Sequence, residues 1–189
     1  HSDYFLEKEN PSGKKSQEKY SLFSRAIMDK DKIRKMIGVR VTGITVCPCA
    51  METVRSVLKD KYPDYAQFLN EIPVVSHNQR NNTTIMIEVP EGYNVEANDL
   101  IEIAENAMSS PTYEILKRKD EEEVVYKAHK NPKFVEDVVR DVLKQISKKY
   151  SKFPKDTLIT VRSESEESIH KHNAFAERIS TLGEILNNE

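Results

Sequence analysis

The run Cys47-Pro48-Cys49 is the feature that most constrains the fold, and it contains the only two cysteines of the chain. It follows residues 38–46, where valine, isoleucine and threonine predominate, as is typical of a strand. Proline has no N–H to donate and cannot continue a central strand. In extended geometry, two residues separated by one position point to the same side. The sequence therefore predicts two neighbouring sulfurs at a strand end, an arrangement that suits a buried turn as well as a metal site.

Length and composition limit the classes of protein to consider. The 189 residues suit one or two small domains. Charged residues make up 32% and hydrophobic residues 38%, with no tryptophan, so we expect some apolar surface to be buried between subunits. The net charge of −2 provides no basic surface for nucleic acid, and we expect no nucleic-acid partner.

Cysteine usage and hydropathy indicate the expected location of the protein in the cell. Two cysteines do not make a disulfide framework, and a bridge across Cys47-Pro48-Cys49 would close a strained ring, which favours a reduced, cytoplasmic location. No apolar run approaches the roughly 20 residues of a membrane span. The N-terminus lacks the apolar core of a signal peptide and begins without methionine, which suggests a trimmed or partial chain.

The hydrophobic periodicity predicts an α+β protein with an antiparallel sheet. Residues 1–36 are interpreted as a linker and short helical segment, the remainder of an N-terminal unit, with a loop over 7–20 and helical turns over 21–36. Residues 37–189 are interpreted as one C-terminal domain. Its predicted elements are a strand at 38–46, inserted helices at about 51–70, a strand at 83–89, a helix around 100–108, a helix that starts at Asn131-Pro132, a strand at 157–162 and an extended tail.

Side chains that hold zinc or ferrous iron recur along this domain. Thiolate, imidazole and carboxylate are the relevant groups, and the candidates are Cys47, Cys49, His77, His129, His170, His172 and the acids at 120–123. Each has a plainer interpretation when taken alone. A histidine before a strand suits a polar loop, an acidic run suits a solvated helix face, and Glu136 near a helix start suits the helix dipole.

Five motifs in a fixed order give these residues a common meaning: Cys47-Pro48-Cys49, Ser76-His77-Asn78-Gln79-Arg80, Leu116-Lys117-Arg118, Asn131-Pro132-Lys133-Phe134-Val135-Glu136-Asp137 and Ser168-Ile169-His170-Lys171-His172-Asn173-Ala174-Phe175-Ala176-Glu177. Together they resemble the type IB GTP cyclohydrolases, and more closely their archaeal branch, from about residue 2 to residue 178. Family members usually have a further N-terminal half. The resemblance implies the tunnelling fold, a strand-strand-helix-helix-strand-strand unit that forms oligomeric barrels. It also implies a homo-oligomer, a dimer or a tetramer, with active sites at subunit interfaces.

The same resemblance implies a set of metal ligands. Cys47, His77 and Glu121 would hold one divalent metal per subunit. Ferrous iron is the metal of the archaeal branch, and zinc or manganese would also suit these ligands. Glu121 is assigned by alignment to Leu116-Lys117-Arg118, and two further glutamates follow it. The gap of 30 residues between Cys47 and His77 (77 − 47) is filled by the inserted helices, as in the archaeal branch.

The remaining implied roles concern GTP. Cys49 would be an acid/base beside the metal, and His170 or His172 would transfer protons. Glu136 would anchor the guanine edge. Cationic side chains would bind the triphosphate, and the candidates are Arg80, Lys133, Arg162 and Lys171.

The implied reaction is the hydrolytic opening of the guanine imidazole ring with release of formate, as the first step of pterin or methanopterin biosynthesis. The product would be a 7,8-dihydroneopterin phosphate, which is the 2′,3′-cyclic phosphate in the archaeal branch. The alternative is a non-catalytic metal-binding oligomer of the same fold. A zinc nucleoside deaminase is excluded, because that class needs His-x-Glu and Cys-x-x-Cys and this chain has only Cys-x-Cys.

Overall fold

The computed structural model describes residues 1–29 and 32–187 and confirms an α+β architecture. Within these residues there are seven strands and six α-helices. In chain order they are β1 (Ser2–Glu9), β2 (Lys15–Asp29), β3 (Lys32–Val46), α1 (Pro48–Lys61), α2 (Ala66–Glu71), β4 (Asn78–Glu88), α3 (Ala97–Ala107), β5 (Ser110–Pro111), α4 (Arg118–Lys130), α5 (Val135–Lys149), β6 (Leu158–Ser165), β7 (Ala174–Thr181) and α6 (Leu182–Leu186).

All the strand pairs in the sheet are antiparallel, as the sequence predicts. The order is β1-β2-β3-β4-β6-β7, and the short β5 pairs with β3. Strand β3 pairs with β4 as far as Val46 opposite Asn78. Cys47 and His77 are the residues just beyond this pair. The sheet register therefore brings two residues that are 30 positions apart in sequence to the same end of adjacent strands.

Helices α3 and α5 cover one face of the sheet. Alternate residues of the central strands, such as Val39, Ile85 and Val161, are fully buried in a core shared with these helices. The apolar stripe predicted for α5 is confirmed, because Val138 and Ile146 are fully buried. Burial of such side chains contributes about 1.5–3 kcal/mol each.

The predicted loop and helical turns in the first 36 residues are wrong. Strands β1 and β2 form a hairpin across residues 10–14, where Gly13 takes a φ of 76° that favours glycine. Residues 21–29 pair with β3. Their i, i+3, i+4 apolar spacing suits a helix, but pairing with β3 overrides this local preference. Residues 30 and 31 of the predicted helical segment lie outside the described residues. Strand β3 runs through residues 36 and 37, and the division into domains there stays a prediction.

The predicted helices exist, but two helix starts are wrong and two helices, α4 and α6, were not predicted. The inserted helices at about 51–70 are α1, a 3₁₀ turn (Pro63–Tyr65) and α2, and α1 begins earlier, at Pro48. Helix α5 begins at Val135, because the Asp137 carboxylate accepts from the Phe134 N–H at 3.0 Å and so caps the helix there. Asn131 instead ends the unpredicted helix α4.

Asp120 ties the β1–β2 turn to the start of α4, and this contact predicts a pH dependence of stability. Its buried carboxylate accepts from the N–H groups of Lys117 at 2.8 Å and Ser12 at 2.9 Å. The bond from the Lys117 backbone is the main reason that the pKa of Asp120 lies below its usual value of 3.8. A carboxyl whose pKa is lowered on folding stabilises the folded state at pH values above its ordinary pKa. This stabilisation is lost as the pH falls through the pKa that the group has in the folded protein.

We therefore expect the free energy of unfolding to fall less steeply on acidification in Asp120→Asn than in the unmodified chain. Urea unfolding at a series of pH values measures this, and the exposed Glu91→Gln is the control. Equal acid dependence in Asp120→Asn and the unmodified chain would contradict this role for the carboxylate.

Candidate metal and substrate site

Cys47 lies at the junction of β3 and α1. It is the N-cap of α1, with φ −70° and ψ 117°, and its Sγ accepts from the Ala50 N–H at 3.4 Å. Pro48 takes the first helical position, because its fixed φ suits a helix start and its missing N–H is not needed there. Cys49 therefore lies in the first turn of α1 and is exposed. The extended geometry predicted across the two cysteines is wrong, and both are free thiols.

Three chain segments meet around Cys47. The Cys47 N–H donates to the His77 carbonyl at 3.1 Å, and the Ser76 hydroxyl donates to the Cys47 carbonyl at 2.7 Å. The Lys133 N–H donates to the Val46 carbonyl at 3.1 Å and so joins the α4–α5 connection to the end of β3. Backbone hydrogen bonds hold these motifs together, so their relative position does not depend on a ligand.

A cavity of about 370 Å³, here called the Cys47 pocket, opens at this junction. It is lined by Cys47, Gln79, Lys133, Phe134, Val135, Glu136, Ser165, Glu167, Asn173, Ala174 and Phe175. Three residues predicted from the motifs, Cys47, Lys133 and Glu136, are thus on one cavity. The pocket combines a thiol, carboxylates and a cation with the apolar ring of Phe175, a mixture that suits a polar heterocycle with a charged tail.

A group of possible metal ligands lies beside this pocket. The ligand atoms of His77, Glu167 and His170 all lie within 4.8 Å of one another, and this is the one such group of three or more among the described residues. His77 Nδ1 is 3.7 Å from Glu167 Oε2, and each of these two side chains is only 10% exposed. Two imidazoles and a carboxylate fit Fe(II), Mn(II) or Zn(II). Since Glu167 also lines the Cys47 pocket, the two features form one site.

The two proton-transfer candidates are placed differently with respect to this group. The rings of His170 and His77 meet edge to face with their centres 6.2 Å apart. His172 stacks on His170 at 5.4 Å, and both are exposed. Histidine titrates near neutral pH, and the pair lies where it would exchange protons with solvent and with a bound molecule.

Glu121 lies apart from this group in a single chain. It is exposed on α4 and lines a groove with Val74 and His129. Among the described residues, Cys47, His77 and Glu121 do not form a group whose ligand atoms all lie within 4.8 Å. The triad of Cys47, His77 and Glu121 stays a prediction.

Glu167 is the residue that motif reasoning missed. It lies in the β6–β7 connection, three residues before His170 and next to the last motif. A carboxylate so close to a candidate histidine was a usable signal in the sequence.

The candidate triphosphate cations, apart from Lys133, are distributed around the pocket rather than within it. Arg80 is exposed on the opposite face of β4 from the buried Gln79 and lines a separate cavity with Glu166. Arg162 pairs with Glu164 at 3.0 Å and lies 4.1 Å over the ring of Phe175 at the pocket rim. Lys171 is exposed beside the two histidines.

The class of protein follows from comparison with known families. Residues 1–176 match the model of the family described as type I GTP cyclohydrolase folE2. The chain belongs to this family, as the five motifs predicted.

Curated relatives specify the branch. The chain is 48% identical over 195 residues to "GTP cyclohydrolase MptA" of Methanobrevibacter smithii, an alignment that covers 97% of this chain and 63% of the relative. It is 47% identical to the MptA of Methanothermobacter thermautotrophicus, over 97% of this chain and 61% of the relative. It is 44% identical to "GTP cyclohydrolase MptA 1" of Methanocella arvoryzae, over 98% of this chain and 62% of the relative. The chain thus spans about six tenths of the length of the curated relatives it matches.

None of the helices in the described part of the chain combines the length and the apolar character that a membrane span requires.

Proposed function

We propose that this chain carries the active-site residues of a metal-dependent GTP cyclohydrolase of pterin or methanopterin biosynthesis. The observation that carries this proposal is the convergence of Cys47, His77 and Glu136 at one end of the sheet, within a chain that matches the family over residues 1–176. Water is added at carbon 8 of GTP and the carbon–nitrogen bonds of the imidazole ring are cleaved. Carbon 8 leaves as formate, and the remaining atoms close into a 7,8-dihydroneopterin phosphate. In the archaeal branch the product is the 2′,3′-cyclic phosphate, with release of pyrophosphate.

The metal would be held by residues that the chain brings to this site. His77 belongs to both possible sets, which are Cys47, His77 and Glu121 from the motifs, and His77, Glu167 and His170 from the geometry. Fe(II) is the metal proposed from the archaeal resemblance, with Zn(II) or Mn(II) as acceptable substitutes. When bound, a divalent metal supplies Lewis acidity and lowers the pKa of water toward neutrality.

The protein's own side chains bind GTP and move its protons. Glu136, at the start of α5, would accept from the N1–H and the exocyclic amino group of guanine. This would orient the imidazole edge of the base into the Cys47 pocket. Cys49, His170 and His172 would move protons to and from nitrogens 7 and 9, a task that needs groups that titrate near neutral pH.

A homo-oligomeric tunnelling fold would complete the site. From β3 onward, the order β3, β4, α3, α5, β6, β7 reads strand-strand-helix-helix-strand-strand once β5 and the helices α1, α2, α4 and α6 are set aside. Sheet edge β7 exposes Phe175 and Ile179, which are 58% and 63% exposed and would be covered by a second copy. Glu121 and Arg80 lie outside the Cys47 pocket of their own chain and would be available to the site of a neighbouring subunit.

Metal-free protein reloaded anaerobically with Fe(II) and incubated with GTP tests this function. We expect a pteridine absorbance band to appear only in the reloaded sample. The alternative, a non-catalytic metal-binding oligomer, predicts that metal binds and GTP stays intact. The free cysteines make oxygen exclusion necessary in this assay.

Paired variants separate the two proposed ligand sets. Glu121→Gln and Glu167→Gln each remove one carboxylate charge with little change in size. The variant that lacks the true ligand should lose metal affinity by a factor on the order of 10 to 100 or more. Competition with a chromophoric chelator measures this affinity. Unchanged affinity in Glu121→Gln would remove Glu121 from the metal site.

A further inference from the structure

We propose that Gln79 is a positioning residue, which holds the His77 imidazole in the tautomer with a proton on Nδ1 and a free lone pair on Nε2. This inference rests on the proposed role of His77 as a metal ligand. Neutral imidazole carries its one proton on either nitrogen, and only the unprotonated nitrogen can bind a metal. A protein therefore fixes the ligand atom by choosing the partner of the other nitrogen.

Gln79 is the hydrogen-bond partner of His77 Nδ1. Gln79 Oε1 lies 2.9 Å from this nitrogen, whereas Glu167 Oε2 lies 3.7 Å away, which is too long for a hydrogen bond. Among the described residues, Nε2 of His77 has no hydrogen-bond partner. An amide oxygen can only accept, so the proton lies on Nδ1 if the Gln79 amide keeps its orientation.

A buried chain of hydrogen bonds supports that orientation. Gln79 Nε2 donates to Thr45 Oγ1 at 3.3 Å, and Thr45 Oγ1 lies 2.8 Å from Ser165 Oγ. The Asn81 amide in turn donates to Ser165 Oγ at 3.1 Å. Gln79 is 9% exposed, and Thr45 and Asn81 are fully buried. With the Gln79 amide rotated by half a turn, Nε2 of Gln79 would face Nδ1 of His77, and the Thr45 hydroxyl would have to donate to Gln79 Oε1 rather than accept from Gln79 Nε2.

This chain of hydrogen bonds makes one end of the core polar, whereas the rest of the core is apolar. On the helix-facing side of the sheet, the strands carry apolar residues such as Val41, Ile85 and Ile159. Toward the Cys47 end they carry a cluster of buried polar side chains instead, namely Thr45, Gln79, Asn81, Thr83, Ser163 and Ser165. A buried polar network is costly unless it is satisfied, and once satisfied it holds its members rigidly. Its position directly behind His77 points to orientation of that ring.

The tautomer of His77 in metal-free protein tests the proposal directly. Long-range proton–nitrogen NMR of histidine-labelled protein distinguishes the protonated from the free ring nitrogen. We expect Nδ1–H in the unmodified chain and loss of this preference in Gln79→Met, which keeps the length of the side chain but cannot accept a hydrogen bond from Nδ1–H at comparable strength. We expect the affinity for Co(II) to fall about 10- to 100-fold in the same variant.

Two variants make the result interpretable. Gln79→Glu keeps an acceptor at Oε1 and should retain both the tautomer and most of the metal affinity. Asn82→Ala removes an amide from the other face of β4, where Asn82 bonds to Thr42 and Glu166, and should leave His77 unchanged. Circular dichroism checks that each variant folds.

Unmodified protein with the proton on Nε2, or Gln79→Met with unchanged tautomer and Co(II) affinity, would overturn the inference. Neither readout uses GTP. A failure of the proposed function, seen as intact GTP with metal bound, is therefore distinguishable from a failure of this inference.

Discussion

Replacing Cys47 by serine should lower formate release from GTP by a factor on the order of 10³ or more, equivalent to about 4 kcal/mol of transition-state stabilisation. Cys47 is the one thiol that lines the Cys47 pocket, and a thiolate is a far better ligand for Fe(II) or Zn(II) than a neutral hydroxyl. Serine keeps an acceptor for the Ala50 N–H at the start of α1, so the loss should not come from unfolding. Formate release and bound metal are measured on the same sample, so that the loss of catalysis and the loss of metal are reported separately.

Three variants on α1 give this experiment its controls. Cys47→Ala also removes the helix cap, which costs about 1 kcal/mol, and should be as inactive as serine but less stable. Cys49→Ser should retain the metal and lose turnover, because Cys49 is proposed to move protons rather than to bind the ion. Thr53→Ala, exposed on the same helix, should behave as the unmodified chain. Full metal content and full activity in Cys47→Ser would remove Cys47 from the metal site.

Replacing Glu136 by glutamine should raise the KM for GTP and lower kcat/KM about 10- to 100-fold. A carboxylate that accepts two hydrogen bonds from guanine contributes about 1.5–3 kcal/mol for each charged bond, and an amide can accept only one of them without opposing a donor. Glu136 lines the Cys47 pocket from the first turn of α5. Steady-state kinetics with GTP measure the change.

Inosine triphosphate makes the test specific for the guanine contact. It lacks the exocyclic amino group that Glu136 is proposed to bind, so the unmodified chain should prefer GTP and Glu136→Gln should lose much of this preference. Glu102→Gln, an exposed glutamate on α3, is the matched control. Equal preference for GTP over inosine triphosphate in Glu136→Gln and the unmodified chain would show that another group anchors the base.

The local pattern of apolar residues was sufficient to predict the elements that have one buried face. The stripe on α5 and the alternation in β4 both follow from burial against a single neighbouring layer. The antiparallel sheet and the α+β class followed from the order of these elements. Local pattern failed in residues 1–36, where charged residues and mixed apolar spacing conceal a hairpin. Pairing between successive strands supplies the hydrogen bonds there, and the local residue preferences do not reveal it.

The site residues fall into the same two groups, those that the sequence pattern pointed to and those that only the structure brought to notice. Cys47, His77 and Glu136 were identified by their motifs, and the register of β3 with β4 explains why the first two are adjacent. Glu167 was missed because its contact with His77 joins the β6–β7 connection to the start of β4, and the role of Gln79, which lies within a motif, depends on its contacts with His77 and with Thr45 of β3. The Glu121 assignment came from alignment alone and stays a prediction; Glu121 lies on α4 and is not a member of the group of His77, Glu167 and His170.

The most direct test of the proposed activity is the fate of carbon 8 of GTP. Protein stripped of metal and then reloaded anaerobically with Fe(II) is incubated with GTP labelled at carbon 8, and labelled formate is measured together with the mass of the pterin product. We expect labelled formate in equal amount to a dihydroneopterin phosphate, and only in the metal-loaded sample. Metal bound in stoichiometric amount with GTP unchanged would contradict it.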